Sequence, residues 1–388
     1  MENFTFSLPT EIFFGKAQIK VLGEEIRKHG GSNVLICYGS DRIKENKLFT
    51  VVTKQLKKQK ITFHELNGIQ PNPRISRVRD GIQLCKEHGI DFLLAIGGGS
   101  VIDSAKAIAA GYYYDGDPRD FFIKEAEVAE ALPLATVLTL AATGSEMNGN
   151  GVISNLETQE KRAVGSPLLL PRFSILDPEY TFSVPPNQTA AGIVDIMSHV
   201  FAFYFCSAED TYLQSSLADA ILRTVIHYGP VVLKEPKNYV ARANILWAGT
   251  LALNGLLSFG QPGDRAVHAI EHAVCAVSDI THGVGLAILT PCWMEYVLSA
   301  ATKMKFYSLS VNIFGALSGR NDTLTAKSAI IKTREFFSSL GMPTQLSAIG
   351  VAENQLETIA QKTVRFGKIG TLKELAFDDV MAILKMAY

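Results

Sequence analysis

Four residues with metal-binding side chains are spaced so that they could share one ion. Asp195 and His199 are four residues apart, so on a helix both side chains lie on the same face. His268 lies in a later helical pattern, and His282 lies in a loop of small residues, 281–285. One carboxylate and three imidazoles suit Fe(II), Zn(II), Co(II) or Ni(II) and leave a coordination position open for a substrate. The alternative is that each histidine belongs to the core and has a local partner.

The segment that contains His268 carries two further ionisable residues on the same helical face. Glu271 and His272 follow at positions i+3 and i+4, among apolar neighbours. Burial of such groups is costly unless they are paired or bound to a metal. The segment also matches the His-x-x-Glu-His signature of one class of zinc peptidases, in which both histidines bind zinc and the glutamate acts as base. That hypothesis needs a distant third ligand, Glu353 or Glu357, and gives no role to the other candidate ligands.

A glycine-rich loop connects a buried strand predicted at 92–96 to a helix predicted at 101–110. The loop consists of Gly97, Gly98, Gly99 and Ser100. Glycines allow the backbone to turn sharply and to approach a ligand, and the N-terminus of the helix presents N–H groups to an anion. We therefore predict a pyrophosphate site, although the loop matches neither the Gly-x-Gly-x-x-Gly fingerprint nor a Walker loop. A tight turn without a ligand is the alternative.

Strands and helices alternate in the first half of the chain, which is the pattern of a parallel α/β sheet. Strands are predicted at 33–38, 61–66, 92–96, 134–140 and 173–176, and helices at 45–58, 76–88 and 101–110. Polar loops at 38–42 and 139–148 also follow strands. Together with the glycine-rich loop they predict a coenzyme groove at the carboxyl ends of the strands.

The pattern changes after two consecutive prolines, Pro185 and Pro186. From there to Met386 the sequence is rich in alanine and leucine and has helical periodicity. We predict an α/β dinucleotide-binding domain over residues 1–184 and an all-α domain, which binds the metal and the substrate, over residues 185–388.

The composition excludes several classes of partner. The 388 residues include 37 Lys plus Arg and 38 Asp plus Glu, so the net charge is −1 and no basic excess is available to bind nucleic acid or an anionic membrane. The longest apolar stretch, 245–260, is interrupted by polar residues and is shorter than the ~20 residues of a membrane span. The cysteines are odd in number and lie in apolar runs, and the N-terminus shows no export signal. We therefore expect a cytoplasmic protein.

Several motifs occur in order along nearly the whole chain. They are the opening segment 4–15, Pro71-Asn-Pro73, Gly97-Gly-Gly-Ser-x-x-Asp-Ser-Ala-Lys106, Ala142-Thr-Gly-Ser-Glu-Met147, Leu176-Asp-Pro178, Asp195-x-x-x-His199, His268-x-x-x-His272 and His282-Gly283. With these motifs the chain resembles the iron-containing (group III) alcohol dehydrogenases, in particular the butanol dehydrogenase and broad aldehyde reductase branch. The resemblance implies a dehydroquinate synthase-like architecture. It also implies NAD(P)(H)-linked hydride transfer to or from small, butanol-like primary alcohols and aldehydes at a divalent metal.

The resemblance also implies roles for individual residues. Asp195, His199, His268 and His282 correspond to the metal ligands of the family. His272 corresponds to a histidine beside the metal that relays a proton or contacts the substrate, so His268 and His272 are the expected catalytic histidines. The corresponding coenzyme contacts are Gly98, Gly99, Ser100, Asp103, Thr139, Thr143 and Lys161. The expected ion is Fe(II), with Zn(II) as the alternative, and the expected assembly is a homodimer.

The choice of coenzyme depends on the loop after the strand predicted at 33–38. NAD-preferring relatives often carry an aspartate at the position of Gly39, where it binds the ribose 2′-hydroxyl. Its absence, with Ser40 and Arg42 nearby, leaves room for a 2′-phosphate and favours NADP(H), with NAD(H) as the alternative. Asp41 would repel that phosphate if it pointed inward.

Other reactions share this architecture. A dehydroquinate synthase-like lyase needs several basic side chains near the metal to hold a phosphorylated acid, whereas Arg265 is the basic residue that we find near the cluster. Aromatic residues such as Phe203 and Phe259 favour a small uncharged alcohol or aldehyde instead. A glycerol dehydrogenase-like polyol oxidoreductase and a metal-free nucleotide-binding scaffold are the remaining alternatives.

Overall fold

The computed structural model describes residues 1–208, 210–317 and 322–388, which form two compact units. One unit is Ser7–Val184, and the other is Pro185–Tyr388 together with Met1–Phe6. The first six residues, which the sequence analysis assigns to the N-terminal domain, thus group with the helical unit. Glu2 N–H donates to the Gly260 carbonyl at 2.9 Å, and the rings of Phe4 and Phe6 contact the ring of Phe259.

The unit Ser7–Val184, of which every residue is described, contains a six-stranded parallel sheet in the order β1-β8-β5-β4-β2-β3. Its strands are β1 Glu11–Phe14, β2 Asn33–Tyr38, β3 Thr62–Leu66, β4 Phe92–Gly97, β5 Leu134–Leu138 and β8 Phe173–Leu176. The predicted α/β fold is therefore confirmed. An antiparallel hairpin of β6 Asn150–Asn155 and β7 Glu160–Gly165 lies outside this sheet, and we did not predict it.

Helices cover the strands of this unit, as expected for parallel strands with long apolar runs. They are α1 Leu22–Lys28, α2 Arg42–Glu45, α3 Leu48–Lys58, α4 Ile75–His88, α5 Gly99–Tyr112 and α6 Arg119–Ile123. Every residue of β4 is buried, and α5, which follows it directly, is buried over nearly its whole length. Tyr38 at the end of β2 pairs with Ile96, and Gly97 of β4 pairs with Leu138. The loops after β2, β4 and β5 therefore begin at one edge of the sheet.

The second unit is built from helices in its described part. They are α7 Pro186–Tyr204, α8 Tyr212–Lys234, α9 Tyr239–Ala252, α10 Ala266–Ser278, α11 His282–Val297, α12 Lys303–Asn312, α13 Asp322–Ser339, α14 Leu356–Thr363 and α15 Phe377–Ala387. Helix α7 begins with a proline, which is well tolerated in the first helical turn. It is buried from Thr189 to Phe203 because α8, α9, α10 and α11 all pack against it. Among the described residues, no helix has both the length and the apolar composition that a membrane span requires.

Candidate functional site

Two candidate metal ligands lie on the buried central helix α7. Asp195 and His199 are both buried, and His199 Nε2 lies 3.5 Å from Asp195 Oδ1. The i, i+4 spacing places both side chains on one helical face, as the sequence analysis predicts. Because neighbouring helices cover this face, the two polar groups are shielded from water.

The other two candidate ligands reach the same place from α10 and α11. The ring of His268 stacks on that of His199, with 4.8 Å between the centroids and 11° between the planes. His282 is the first residue of α11, and its Nε2 lies 3.5 Å from Asp195 Oδ1. Asp195, His268 and His282 each offer a ligand atom, and these atoms lie within 4.8 Å of one another. The structure thus brings all four candidate ligands together.

Gly283 allows this meeting of helices. A Cβ atom at residue 283 would lie 2.1 Å from the carbonyl oxygen of Ala191, a distance at which atoms overlap. The start of α11 can therefore approach α7 this closely only with glycine at that position. The same approach carries the neighbouring side chain, His282, to Asp195.

The donor set fits a divalent metal ion. Within the described residues, Asp195 Oδ1 and His268 Nε2 are buried and have no hydrogen-bond partner. Burial lowers the pKa of His268 well below its usual value, and the charges of the nearby histidines lower it further. This imidazole is therefore neutral, as a metal ligand must be. Two ligand atoms bonded at about 2.1 Å to a tetrahedral ion lie about 3.4 Å apart. The observed nitrogen–oxygen distances of 3.5 Å agree with that arrangement.

His272 lies beside this cluster. It is half-buried, and its ring centroid lies 5.5 Å from that of His282 and 6.5 Å from that of His268. Glu271, by contrast, is fully buried, and its carboxylate contacts His282 Nδ1 and accepts from Cys275 Sγ. A carboxylate held in this way is poorly placed to activate water, which argues against the peptidase hypothesis. No sequence motif signals the contact between Glu271 and His282, so it could not be predicted from the sequence.

The predicted pyrophosphate loop lies at the N-terminus of α5. Gly98 is the N-cap, α5 begins at Gly99, and Ser100 lies in the first turn, without a side-chain cap at the helix start. The loop after β5 lies against it: Thr139 N–H donates to the Gly97 carbonyl at 3.0 Å. A Cβ at residue 99 would lie 2.4 Å from Thr143 Oγ1, so the two loops are in close contact. Their backbone N–H groups and the helix dipole are suited to an anionic ligand.

The other predicted coenzyme residues lie around this loop. Gly39 follows β2, and its carbonyl accepts from Gly68 N–H at 2.8 Å, while Ser40 is exposed. Lys161 is on β7, where its Nζ donates to Asn72 Oδ1 at 3.1 Å. The charge of Lys161 is close enough to lower the pKa of Asp103, although burial raises that pKa overall.

Asp103 is bound within the unit by both carboxylate oxygens. Oδ1 accepts from Ser145 Oγ at 2.6 Å, and Oδ2 accepts from Val152 N–H at 3.0 Å. One turn further along α5, the fully buried Lys106 places Nζ within 2.7 to 3.2 Å of five oxygen atoms of Ser145, Asn148 and Asn150. Burial lowers the pKa of Lys106 to about 8, which leaves the ammonium group charged at neutral pH. Lys106 ends the glycine-rich motif that begins at Gly97, and nothing in that motif predicts this network.

Comparisons with known proteins identify relatives along the whole chain. The family models described as iron-containing alcohol dehydrogenase and as its C-terminal part match residues 9–178 and 189–388. NADH-dependent butanol dehydrogenase A of Clostridium acetobutylicum is 50% identical over 390 residues, with 100% of both chains covered. NADPH-dependent aldehyde reductase YqhD of Escherichia coli is 37% identical, again with 100% of both covered. The crystal structure of NADH-dependent butanol dehydrogenase A from Thermotoga maritima superposes with a TM-score of 0.96 at 38% identity, covering 100% of this chain and 99% of that one.

Proposed function

This chain belongs to the iron-containing alcohol dehydrogenase family and is an NAD(P)(H)-linked alcohol dehydrogenase or aldehyde reductase, and we propose that Asp195, His199, His268 and His282 form its metal site. The observation that carries the proposal is the convergence of one carboxylate and three imidazoles inside a helical unit, with two ligand atoms that lack a hydrogen-bond partner among the described residues. When bound, a divalent ion supplies the Lewis acidity that stabilises negative charge on the substrate oxygen.

The protonation state and the charge of the ligands suit a bound divalent ion. Burial keeps His268 neutral, and the single carboxylate of Asp195 leaves a net positive charge once a divalent ion is bound. That net charge favours an oxyanion over a neutral alcohol. We propose Fe(II) as the ion, in keeping with the family, with Zn(II) as the alternative. Anaerobic reconstitution of the metal-free protein with each ion separately, followed by activity measurement, tests this choice.

His272 is the group that we propose to take up the alcohol proton during oxidation and to return it during reduction. It is half-buried beside the cluster, so a proton can pass between its imidazole and solvent. We expect His268→Ala to lose bound metal and all turnover, and His272→Ala to retain metal and lose rate alone. Elemental analysis of both purified variants, alongside butyraldehyde reduction, makes the comparison. Equal metal content in the wild type and His268→Ala would refute the ligand assignment.

The proposed substrates are small primary alcohols and their aldehydes, as the name of the 50%-identical butanol dehydrogenase suggests. Phe203 lies one helical turn after His199, and the Arg265 guanidinium lies over its ring, 5.7 Å from the centroid. A phosphorylated acid, the substrate of the lyase alternative, would need several cations at this place. Rates with C2 to C6 aldehydes, compared with glycerol oxidation and with dehydroquinate formation, distinguish the three activities, and a chelator should abolish butyraldehyde reduction.

The absence of a carboxylate at Gly39 predicts NADP(H), with NAD(H) as the alternative. We propose the alternative, NADH, as the preferred coenzyme. The Lys44 ammonium after β2 is balanced by Glu65 at 2.9 Å and by Asp41 at 3.6 Å, so it adds little attraction for a 2′-phosphate. The 50%-identical relative is named as NADH-dependent, and the 37%-identical one as NADPH-dependent. We expect Asp41→Ala to raise kcat/KM for NADPH relative to NADH by up to about fivefold, because the variant removes one of the two carboxylates that balance Lys44 and exposed charges interact by at most about 1 kcal/mol. An unchanged ratio would refute this explanation.

We also propose a cytoplasmic homodimer. All five cysteines lie in the described residues, are buried and form no disulfide, which suits a reducing compartment. Light scattering on the purified protein tests the dimer, and fractionation of the source cells tests the compartment.

A further inference from the structure

We propose that Glu271 is a positioning residue, whose carboxylate holds the ring of His282 in the tautomer that directs Nε2 toward the metal. This inference rests on the proposed metal site and adds a residue that does not touch the ion. It also explains why a fully buried glutamate lies one turn after a ligand on α10.

The two ring nitrogens of His282 have different neighbours. Its Nδ1 contacts Glu271 Oε2, and its Nε2 faces Asp195 Oδ1 at 3.5 Å. The second oxygen of Glu271, Oε1, accepts from Cys275 Sγ at 2.6 Å, and that sulfur also lies 3.2 Å from the Ile280 carbonyl. The carboxylate is thus held at both oxygens, one on the ligand histidine and one on its own helix.

The chemistry of imidazole makes this contact decisive. A neutral imidazole carries one N–H, and a carboxylate beside Nδ1 accepts that proton's hydrogen bond. The lone pair then lies on Nε2, on the side of Asp195 and His268. With the proton on Nε2 instead, His282 would present a donor where a metal ligand is needed. Partners of this kind orient ligating histidines, and their removal weakens metal binding by about 10- to 100-fold.

The neighbouring helix leaves room for the carboxylate. Gly285 lies on α11 three residues after His282, and a Cβ there would lie 2.9 Å from Glu271 Cγ and 3.1 Å from Oε1. A side chain at residue 285 would therefore displace the carboxylate from the imidazole. The two glycines after His282 thus have separate functions. Gly283 lets α11 pack closely against α7, and Gly285 leaves space for the Glu271 carboxylate.

One rival role for Glu271 is direct ligation. Glu271, His272 and His282 also offer ligand atoms within 4.8 Å of one another. An ion held there would replace the contact between Glu271 and His282 Nδ1. Substitution by glutamine separates the two roles, because the amide oxygen still accepts from Nδ1–H whereas a neutral amide is a poor metal ligand.

The first experiment measures the tautomer in the metal-free protein. Histidine ring nitrogens labelled with ¹⁵N report the protonated nitrogen at pH 8, and a His282→Gln variant assigns the signal. We expect Nδ1–H for His282 in the wild type and in Glu271→Gln, and a mixture or Nε2–H in Glu271→Leu. Nε2–H in the wild type would overturn the proposal.

The second experiment measures Zn²⁺ affinity by chelator competition. We expect Kd to rise about 10- to 100-fold in Glu271→Leu and by no more than about threefold in Glu271→Gln. The matched control is Glu295→Leu, an exposed position on α11, which should bind as the wild type does. If Glu271→Leu does not fold, Gly285→Ala retains the carboxylate and displaces it, and should also weaken binding.

An equal loss in Glu271→Gln and Glu271→Leu would indicate direct ligation and overturn the proposal. A wild type that binds no metal would instead refute the proposed function.

Discussion

Replacement of Lys106 by methionine should destabilise the N-terminal unit strongly, because it removes a cation from a fully buried polar network. Methionine has a similar length and no donor, so the five oxygens within 2.7 to 3.2 Å of Nζ would lose their contact to the ammonium group. The Asp103 carboxylate would lose the positive charge that most strongly lowers its pKa.

The size of the effect follows from this burial. Removal of one partner from a buried charged network costs about 3–5 kcal/mol. In a unit of this length, 1 kcal/mol shifts Tm by about 2–4 °C, so we expect a decrease of roughly 6–20 °C. The network also holds the loop that carries Thr143 beside the N-terminus of α5. The Kd for NADH should therefore rise as well, by about tenfold, while metal content stays the same.

Scanning calorimetry and NADH fluorescence titration measure the two effects of Lys106→Met. Lys86→Met, an exposed position on α4, makes the same chemical change and should leave both values as in the wild type. The double variant Asp103→Asn with Lys106→Met removes the uncompensated carboxylate and should recover part of the lost stability. A Tm within about 2 °C of the wild type, with Kd within twofold, would refute the reasoning.

Three further predictions concern other parts of the molecule. Gly99→Ala places a methyl group 2.4 Å from Thr143 Oγ1, so titration should show NADH binding weakened by more than tenfold with metal content intact; tight binding would disprove the close contact. Asp379 accepts from Tyr296 Oη at 2.5 Å, and this bond lowers the pKa of Asp379 below its usual 3.8. The carboxylate therefore adds stability above about pH 4 that is lost as the pH falls through the lowered pKa. Denaturant titrations should show Asp379→Asn costing about 1 kcal/mol at pH 7 and progressively less as the pH is lowered below about 4. Finally, metal removal by a chelator should lower the Tm of the helical unit and leave that of the sheet unit unchanged, as two resolved calorimetric transitions would show.

Local patterns in the sequence predict five of the six strands of the parallel sheet and half of the metal site, whereas the short β1 and the β6–β7 hairpin were not predicted. The buried runs that become β2, β4 and β5 are contiguous in the chain, so their periodicity can be read without knowledge of partners. The same holds for Asp195 and His199, whose shared helical face follows from a spacing of four. The glycine-rich loop likewise lies directly between its strand and its helix.

Contacts between distant segments were decided only by the tertiary structure. His282 lies next to Asp195 because Gly283 permits α11 to pack closely on α7. The peptidase hypothesis makes Glu271 a catalytic base, whereas in the structure its carboxylate contacts His282 Nδ1. Lys106 bonds to oxygens 39 to 44 residues away. Helical and strand periodicity depends on backbone geometry within a few residues, whereas these contacts depend on how several packed surfaces fit together. The sequence by itself therefore determined which side chains could bind a metal and a coenzyme, and the packing of the helices determined which of them meet.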